Sequence, residues 1–136
     1  MKSIKQKQIT RTWQLINAEE KPLGRLSTEI AMILMGKNKA IYSPNLDTGD
    51  FVVVINSSKV FLSGKKENQK VYYRHSGYPG GLYSRSASQT RTDKPNDLIR
   101  NAVYGMLPKT RMGKIMLKKL FVYSDSNHPH KNKFNN

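Results

Sequence analysis

One run of six residues, Phe51-Val52-Val53-Val54-Ile55-Asn56, constrains the fold more than any other stretch of the chain. It is almost continuously apolar and rich in β-branched residues, which is the pattern of a strand buried on both faces. What precedes it follows a regular order. Trp13–Asn17 reads as a first buried strand, and Lys21-Pro22-Leu23-Gly24 as a turn. From Arg25 to Met35 the spacing becomes helical, with Leu26, Ile30, Ile33 and Leu34 on one apolar face. Met32 and Met35 read as core fillers. Gly36 is placed as the left-handed stop, and Lys37 and Lys39 follow the carbonyl end of the helix. Strand, helix and strand in this order predict a βαβ unit with parallel strands and a right-handed crossover.

The remainder is less regular. Val60-Phe61-Leu62 reads as a short strand, Ser63–Gln69 as a polar loop, and Lys70–His75 as an extended arm. Leu82–Thr92 is serine-rich without clear periodicity and reads as loop. Pro95 suits the first turn of a second helix, with Asp97 near its positive end. Leu98, Ile99, Ala102, Val103 and Met106 supply that helix's apolar face, and Pro108 lies just past its end. Leu120–Tyr123 reads as the last strand. No internal repeat and no second domain are visible. The organisation expected is a basic arm over residues 1–12, one α/β domain over 13–123, and a polar tail over 124–136 in which little demands order.

Charge narrows the function. The chain has 136 residues, enough for one domain with a real core, and a formal net charge of +15. A field of that size favours a polyanion, nucleic acid first and an anionic membrane surface second. The arm carries Lys2, Lys5, Lys7 and Arg11 with no acid, and reads as flexible. Lys109–Lys119 adds five more cations, again without an acid. There is no cysteine, which excludes disulfides and thiolate metal sites. No apolar run approaches a membrane span, and no signal-peptide core follows the basic start.

The stretch Lys70-Val71-Tyr72-Tyr73-Arg74-His75-Ser76-Gly77-Tyr78-Pro79-Gly80-Gly81 concentrates the chemistry suited to RNA. Its tyrosines can stack on unpaired bases, and Arg74 can pair with phosphate or stack. Gly77, Gly80 and Gly81 permit close backbone approach. Alternatively it is a surface hairpin whose tyrosines cover a small core, and the two readings are compatible because alternate strand residues face opposite sides. With so many glycines and no acid nearby, the loop is expected to be mobile alone and ordered by RNA.

Catalytic signatures are lacking. No glycine-rich dinucleotide fingerprint and no phosphate-binding lysine loop follows the first strand. Asp47-Thr48-Gly49-Asp50 reads as a turn in preference to a catalytic or metal-binding pair. His128-Pro129-His130 has no carboxylate or thiolate cluster beside it, and His75 has no orienting acid nearby in sequence. No cofactor, metal or small-molecule substrate is expected.

Several motifs then converge on one family. Leu23-Gly24-Arg25-Leu26, Asp47-Thr48-Gly49-Asp50 with Val53-Val54-Ile55-Asn56, and Tyr72-Tyr73-Arg74-His75-Ser76-Gly77 with Pro79-Gly80-Gly81 occur in order. Val103-Tyr104-Gly105-Met106-Leu107-Pro108 follows, with Gly113 beyond. From Trp13 to about Tyr123 the chain resembles the bacterial-type L-thirteen family of large-subunit ribosomal proteins, and His128-Pro129-His130 fits that family's tail. The resemblance implies a three-layer α/β/α domain on a mostly parallel sheet. It also implies binding to large-subunit ribosomal RNA beside neighbouring ribosomal proteins, and a role in building and stabilising the subunit. Two stretches depart from the family pattern. Ser84–Thr92 replaces a more apolar, acidic helical start, and the tail ends in Lys131-Asn132-Lys133-Phe134-Asn135-Asn136.

Together these readings predict a non-enzymatic protein that neutralises and clamps folded RNA. The expected contacts are Lys70, Tyr72, Arg74, His75 and Tyr78 in the loop region, with Lys109, Arg111, Lys114, Lys118 and Lys119 near the end. Lys37, Lys39, Lys65 and Lys66 form a second rank. Arg25 suits either RNA or an acid of its own domain. An architectural DNA-binding protein and a small α/β enzyme remain as alternative readings. The expected location is a ribosome, bacterial or organellar, and Lys- and Asn-rich usage with the short tail leans toward an AT-rich genome, such as a plastid's.

Overall fold

The computed structural model describes residues 9–134. Residues 1–8, which hold most of the expected basic arm, lie outside that range. The elements run β1 (Trp13–Asn17), α1 (Leu23–Met35), β2 (Phe51–Ile55), α2 (Lys66–Gln69), β3 (Val71–His75), β4 (Leu82–Ser86), α3 (Ala87–Asp93), α4 (Pro95–Met106), α5 (Arg111–Leu117) and β5 (Leu120–Val122). Short 3₁₀ turns occupy Ser57–Lys59 and Lys131–Lys133.

The run around Phe51 becomes the middle strand of a three-stranded parallel sheet, in the order β1-β2-β5. Leu15 pairs with Val53 and Val53 with Phe121, so parity assigns each side chain to a face. Ile16, Val52, Val54, Leu120 and Val122 point to one face and are buried. There they join Leu26, Ile30 and Leu34 of α1, Leu98, Ile99 and Val103 of α4, and Met116 of α5 in one core. Val53 points the other way and is equally buried. Its face carries aromatic rings: Trp13 stacks on Phe51 at 4.5 Å between centroids and on Phe121 at 5.6 Å.

The tail closes that second face. His130 stacks on Trp13 at 5.1 Å, and its Nε2 lies 2.8 Å from the Tyr123 hydroxyl. The tail expected to lack order is therefore docked as far as residue 134, because its histidine and phenylalanine rings find an aromatic platform. Helix α1 starts two residues earlier than its periodicity suggests. Pro22 holds an extended conformation at the N-cap position, and its carbonyl accepts the N–H of Leu26 at 3.0 Å. Gly36 ends α1 in the left-handed region at φ 80°, and the N–H of Lys37 reaches back to Met32 O. Met32, expected in the core, is 45% exposed. Val60–Leu62 forms only an isolated bridge, Phe61 to Pro22, in place of a strand.

Leu82–Thr92 differs most from expectation. It forms β4, which pairs antiparallel with β3, and then α3. The start of α3 is a capping box. Ser86 Oγ accepts the Gln89 N–H, and Gln89 Oε1 accepts the Ser86 N–H. Ser63–Gln69, expected as loop, ends in the single turn α2.

Candidate nucleic-acid interface

The β3–β4 hairpin stands apart from the parallel sheet and packs through α2 and α3. Tyr72 pairs with Arg85 and Arg74 with Tyr83, which puts these four side chains on one hairpin face. Tyr72 is its inner edge: the ring packs against the core, and burial pushes its phenol pKa upward. Its hydroxyl has no hydrogen-bond partner among the described residues. Lys70 lies 5.6 Å over the same ring. Between this face and the α3–α4 junction runs a groove of about 890 Å³, whose far wall includes Lys94, Asp97 and Asn101. Tyr73, Tyr78 and Tyr83 are 70%, 75% and 64% exposed, so their rings are free to stack.

The glycine-rich loop between the strands supplies its own hydrogen bonds. The Ser76 N–H donates to Gly81 O and the Gly81 N–H to Tyr78 O, both at 2.9 Å. The Gly77 N–H donates to His75 Nδ1 at 2.9 Å. Gly77 and Gly80 have φ of 88° and 71°, a conformation that side-chain-bearing residues rarely adopt. The loop expected to be mobile without RNA thus has a hydrogen-bonded turn available to it, and His75, expected to have few internal partners, accepts one of its bonds.

Lys109, Arg111, Lys114 and Lys118 flank or lie on α5. All four are exposed and make no ion pair among the described residues. Lys37, Lys65 and Lys66 are likewise exposed, and Arg25 has found no acid of its own domain.

Two expected contacts are turned inward. Lys119 is 6% exposed; its Nζ lies 2.5 Å from Asp47 Oδ1 and donates to Leu34 O at 3.2 Å. Burial pulls its pKa below the usual lysine value, against the upward pull of Asp47. Lys39 reaches Asp50 Oδ1 at 2.6 Å and donates to Thr10 O and Thr48 O. Burial alone would raise the Asp50 pKa. Hydrogen bonds from Lys39, the Thr12 N–H and Gln14 outweigh it, and the carboxyl is held below its ordinary value. Arg11, assigned by sequence to the arm, donates to Gly49 O and lies 3.5 Å from Asp47. The segment Asp47–Asp50 is therefore a buried staple that absorbs three cations.

Sequence reasoning also missed Arg85 and Lys94, which line the groove: Arg85 fell in the segment read as loop, and Lys94 lies just beyond it, before the proline that opens α4. The Ser86–Gln89 capping-box spacing was the available signal. Among the described residues no group of three or more histidines or acids could hold a metal, and no helix is long and apolar enough to cross a membrane.

The family model for ribosomal protein L13 matches residues 11–129. The chain belongs to the ribosomal protein L13 family. Among its relatives is a large ribosomal subunit protein uL13 of Syntrophotalea carbinolica, 55% identical over 93% of this chain and 89% of the relative. A uL13 of Geobacter sulfurreducens is 54% identical over 95% and 90%. One of Staphylococcus saprophyticus is 54% identical over 90% and 84%. The match embraces β1 to β5, the hairpin and both inward lysines. Family membership makes this a structural protein without catalysis, and the enzyme reading ends there.

Proposed function

We propose that this chain is a structural component of the large ribosomal subunit that binds large-subunit ribosomal RNA and supports subunit assembly. The observation that carries the reading is the division of its cations. One set is consumed by Asp47 and Asp50 inside the fold. The other projects from α5, α2 and the hairpin, and among the described residues only Arg85 of this set has an acid near it, Asp93 at 3.6 Å. Cations left unpaired on the surface of a chain with net charge +15 displace counterions from folded RNA and hold helices that would otherwise repel. Lys109, Arg111, Lys114 and Lys118 form one contact group. Lys65, Lys66, Lys70, Arg74, His75 and Tyr78 form the other, with the half-buried Tyr72 ring at the groove's inner edge, joined by Arg85 and Lys94, and with Lys37 at the end of α1. The named relatives are bacterial, which favours a bacterial ribosome over a plastid one as its location. Neighbouring ribosomal proteins complete its partners. The resemblance implies a three-layer α/β/α packing; here α1, α4 and α5 pack on one face of the sheet, and the docked tail covers the other in place of a second helical layer.

Binding to a large-subunit RNA fragment tests this. Log affinity should fall linearly with log salt, and Lys114→Ala should make the slope shallower by about one ion. A nearly flat dependence, or equal affinity for duplex DNA in competition at fixed salt, refutes the assignment.

A further inference from the structure

We propose that the groove between the hairpin and the α3–α4 junction takes one unpaired guanine, turned out of the RNA, and reads its Watson–Crick edge. The inference rests on the ribosomal RNA reading above and gives this one surface a more specific task than charge neutralisation. A groove built only to follow a phosphate backbone gains nothing from a carboxylate. This one contains Asp97, whose carboxylate has no hydrogen-bond or ion-pair partner among the described residues. Asn101 lies one helical turn further along α4, on the same side, and its amide is equally unpartnered.

The two groups match guanine. Its N1–H and N2–H are adjacent donors that a carboxylate accepts in parallel, and its O6 accepts from an amide N–H. Adenine offers no donor at N1, and uracil only one on this edge. The opposite wall supplies the stacking surface. Tyr83 and the Arg74 guanidinium are cross-strand partners on the groove face, and Tyr83 is 64% exposed. Unpaired bases are recognised by stacking on aromatic or guanidinium planes combined with hydrogen bonds to their edges. Arg85 and Lys94 provide positive charge for the flanking phosphates. Arg85 is only loosely held, its Nη1 lying 3.6 Å from Asp93. At about 890 Å³ the groove holds a nucleotide with part of its neighbours.

The test measures binding of the full chain to the pentanucleotides UUGUU, UUIUU, UUAUU and UUUUU at one salt concentration, alongside a large-subunit RNA fragment. UUGUU should bind about tenfold tighter than UUAUU and UUUUU, a ratio expected of one bidentate base contact. UUIUU, which lacks the 2-amino group, should fall between. Asp97→Asn should abolish the preference while leaving the salt dependence on the RNA fragment unchanged. Tyr83→Ala should weaken UUGUU about tenfold, and Tyr83→Phe should retain binding. Equal affinity for the four pentanucleotides, with the RNA fragment still bound, overturns the guanine site and leaves the ribosomal reading standing. A preference that survives Asp97→Asn also overturns it. Loss of fragment binding by the unaltered chain overturns the broader reading first.

Discussion

Replacing Lys119 separates a lysine that holds the fold from lysines that hold RNA. Its ammonium is the partner of Asp47, whose side chain is only 12% exposed, and it also donates to the carbonyl of Leu34. Lys119→Ala leaves that carboxylate with Arg11 alone, at 3.5 Å. Removing one member of a buried pair costs about 3–5 kcal/mol when nothing else remains. The surviving Arg11 contact reduces that loss, and the orphaned carbonyl adds about 1 kcal/mol. The net cost is then about 2–4 kcal/mol. For a chain of this size, each kcal/mol shifts Tm by about 3–4 °C, so the melt should fall by about 6–16 °C. Lys114→Ala, fully outside the fold's ion pairs, should change stability by less than about 0.5 kcal/mol. The assay pairs thermal melts by circular dichroism with RNA affinity measured well below both transitions. Lys119→Ala should bind RNA nearly as the unaltered chain does, and Lys114→Ala should bind more weakly. If Lys119→Ala melted normally and lost affinity with a shallower salt slope, the inward assignment of Lys119 would be wrong.

Two further outcomes follow from the same staple. Gly49→Ala should destabilise by at least about 1–3 kcal/mol, because a Cβ there collides with the backbone of Leu34, which has no side-chain freedom to yield; Gly24→Ala, where a Cβ meets nothing within 4 Å, is the control for the melts. Asp50 is held below its ordinary pKa of 3.8, so it contributes stability that is complete above about pH 4 and is lost as the pH falls through its folded-state value. Asp50→Asn should therefore lower stability at neutral pH and flatten the acid side of a stability–pH curve, and an unchanged acid limb would contradict the Lys39 pairing.

What could be read in advance divides along physical lines. Phe51–Ile55 and α1 were legible because burial on two faces, or on one helical face, leaves a periodic trace in the residues themselves. The glycine stop at Gly36 was legible for the same local reason. β4 and α3 were missed because Leu82–Ser86 forms an exposed strand on a two-stranded hairpin, with no buried face to impose alternation. Yet the Ser86–Gln89 capping box was present in the letters and would have located the start of α3. Lys119 was misread because adjacent lysines at a helix end carry no sign of direction. Only after α5 stops at Leu117 does the chain swing Lys119 toward Asp47, 72 residues away in sequence. The groove was invisible for a similar reason. Tyr83 and Asp97 belong to different elements, and only the packing of α3 brings them to opposite walls.

The docked tail has a consequence for the order of folding. Trp13 opens the first strand, and its ring is covered by His130, with Lys133 Nζ 5.6 Å from the ring. The middle strand likewise waits for β5, which comes from the far end of the chain. During synthesis, β1, α1 and β2 therefore leave the exit tunnel with one edge of β2 unpaired and one face of the sheet uncovered. Both are closed by segments that emerge later. Such long-range pairings slow folding and expose apolar surface in the interval. The nascent chain must keep its aromatic face from other chains until the segment around His130 arrives to cover it.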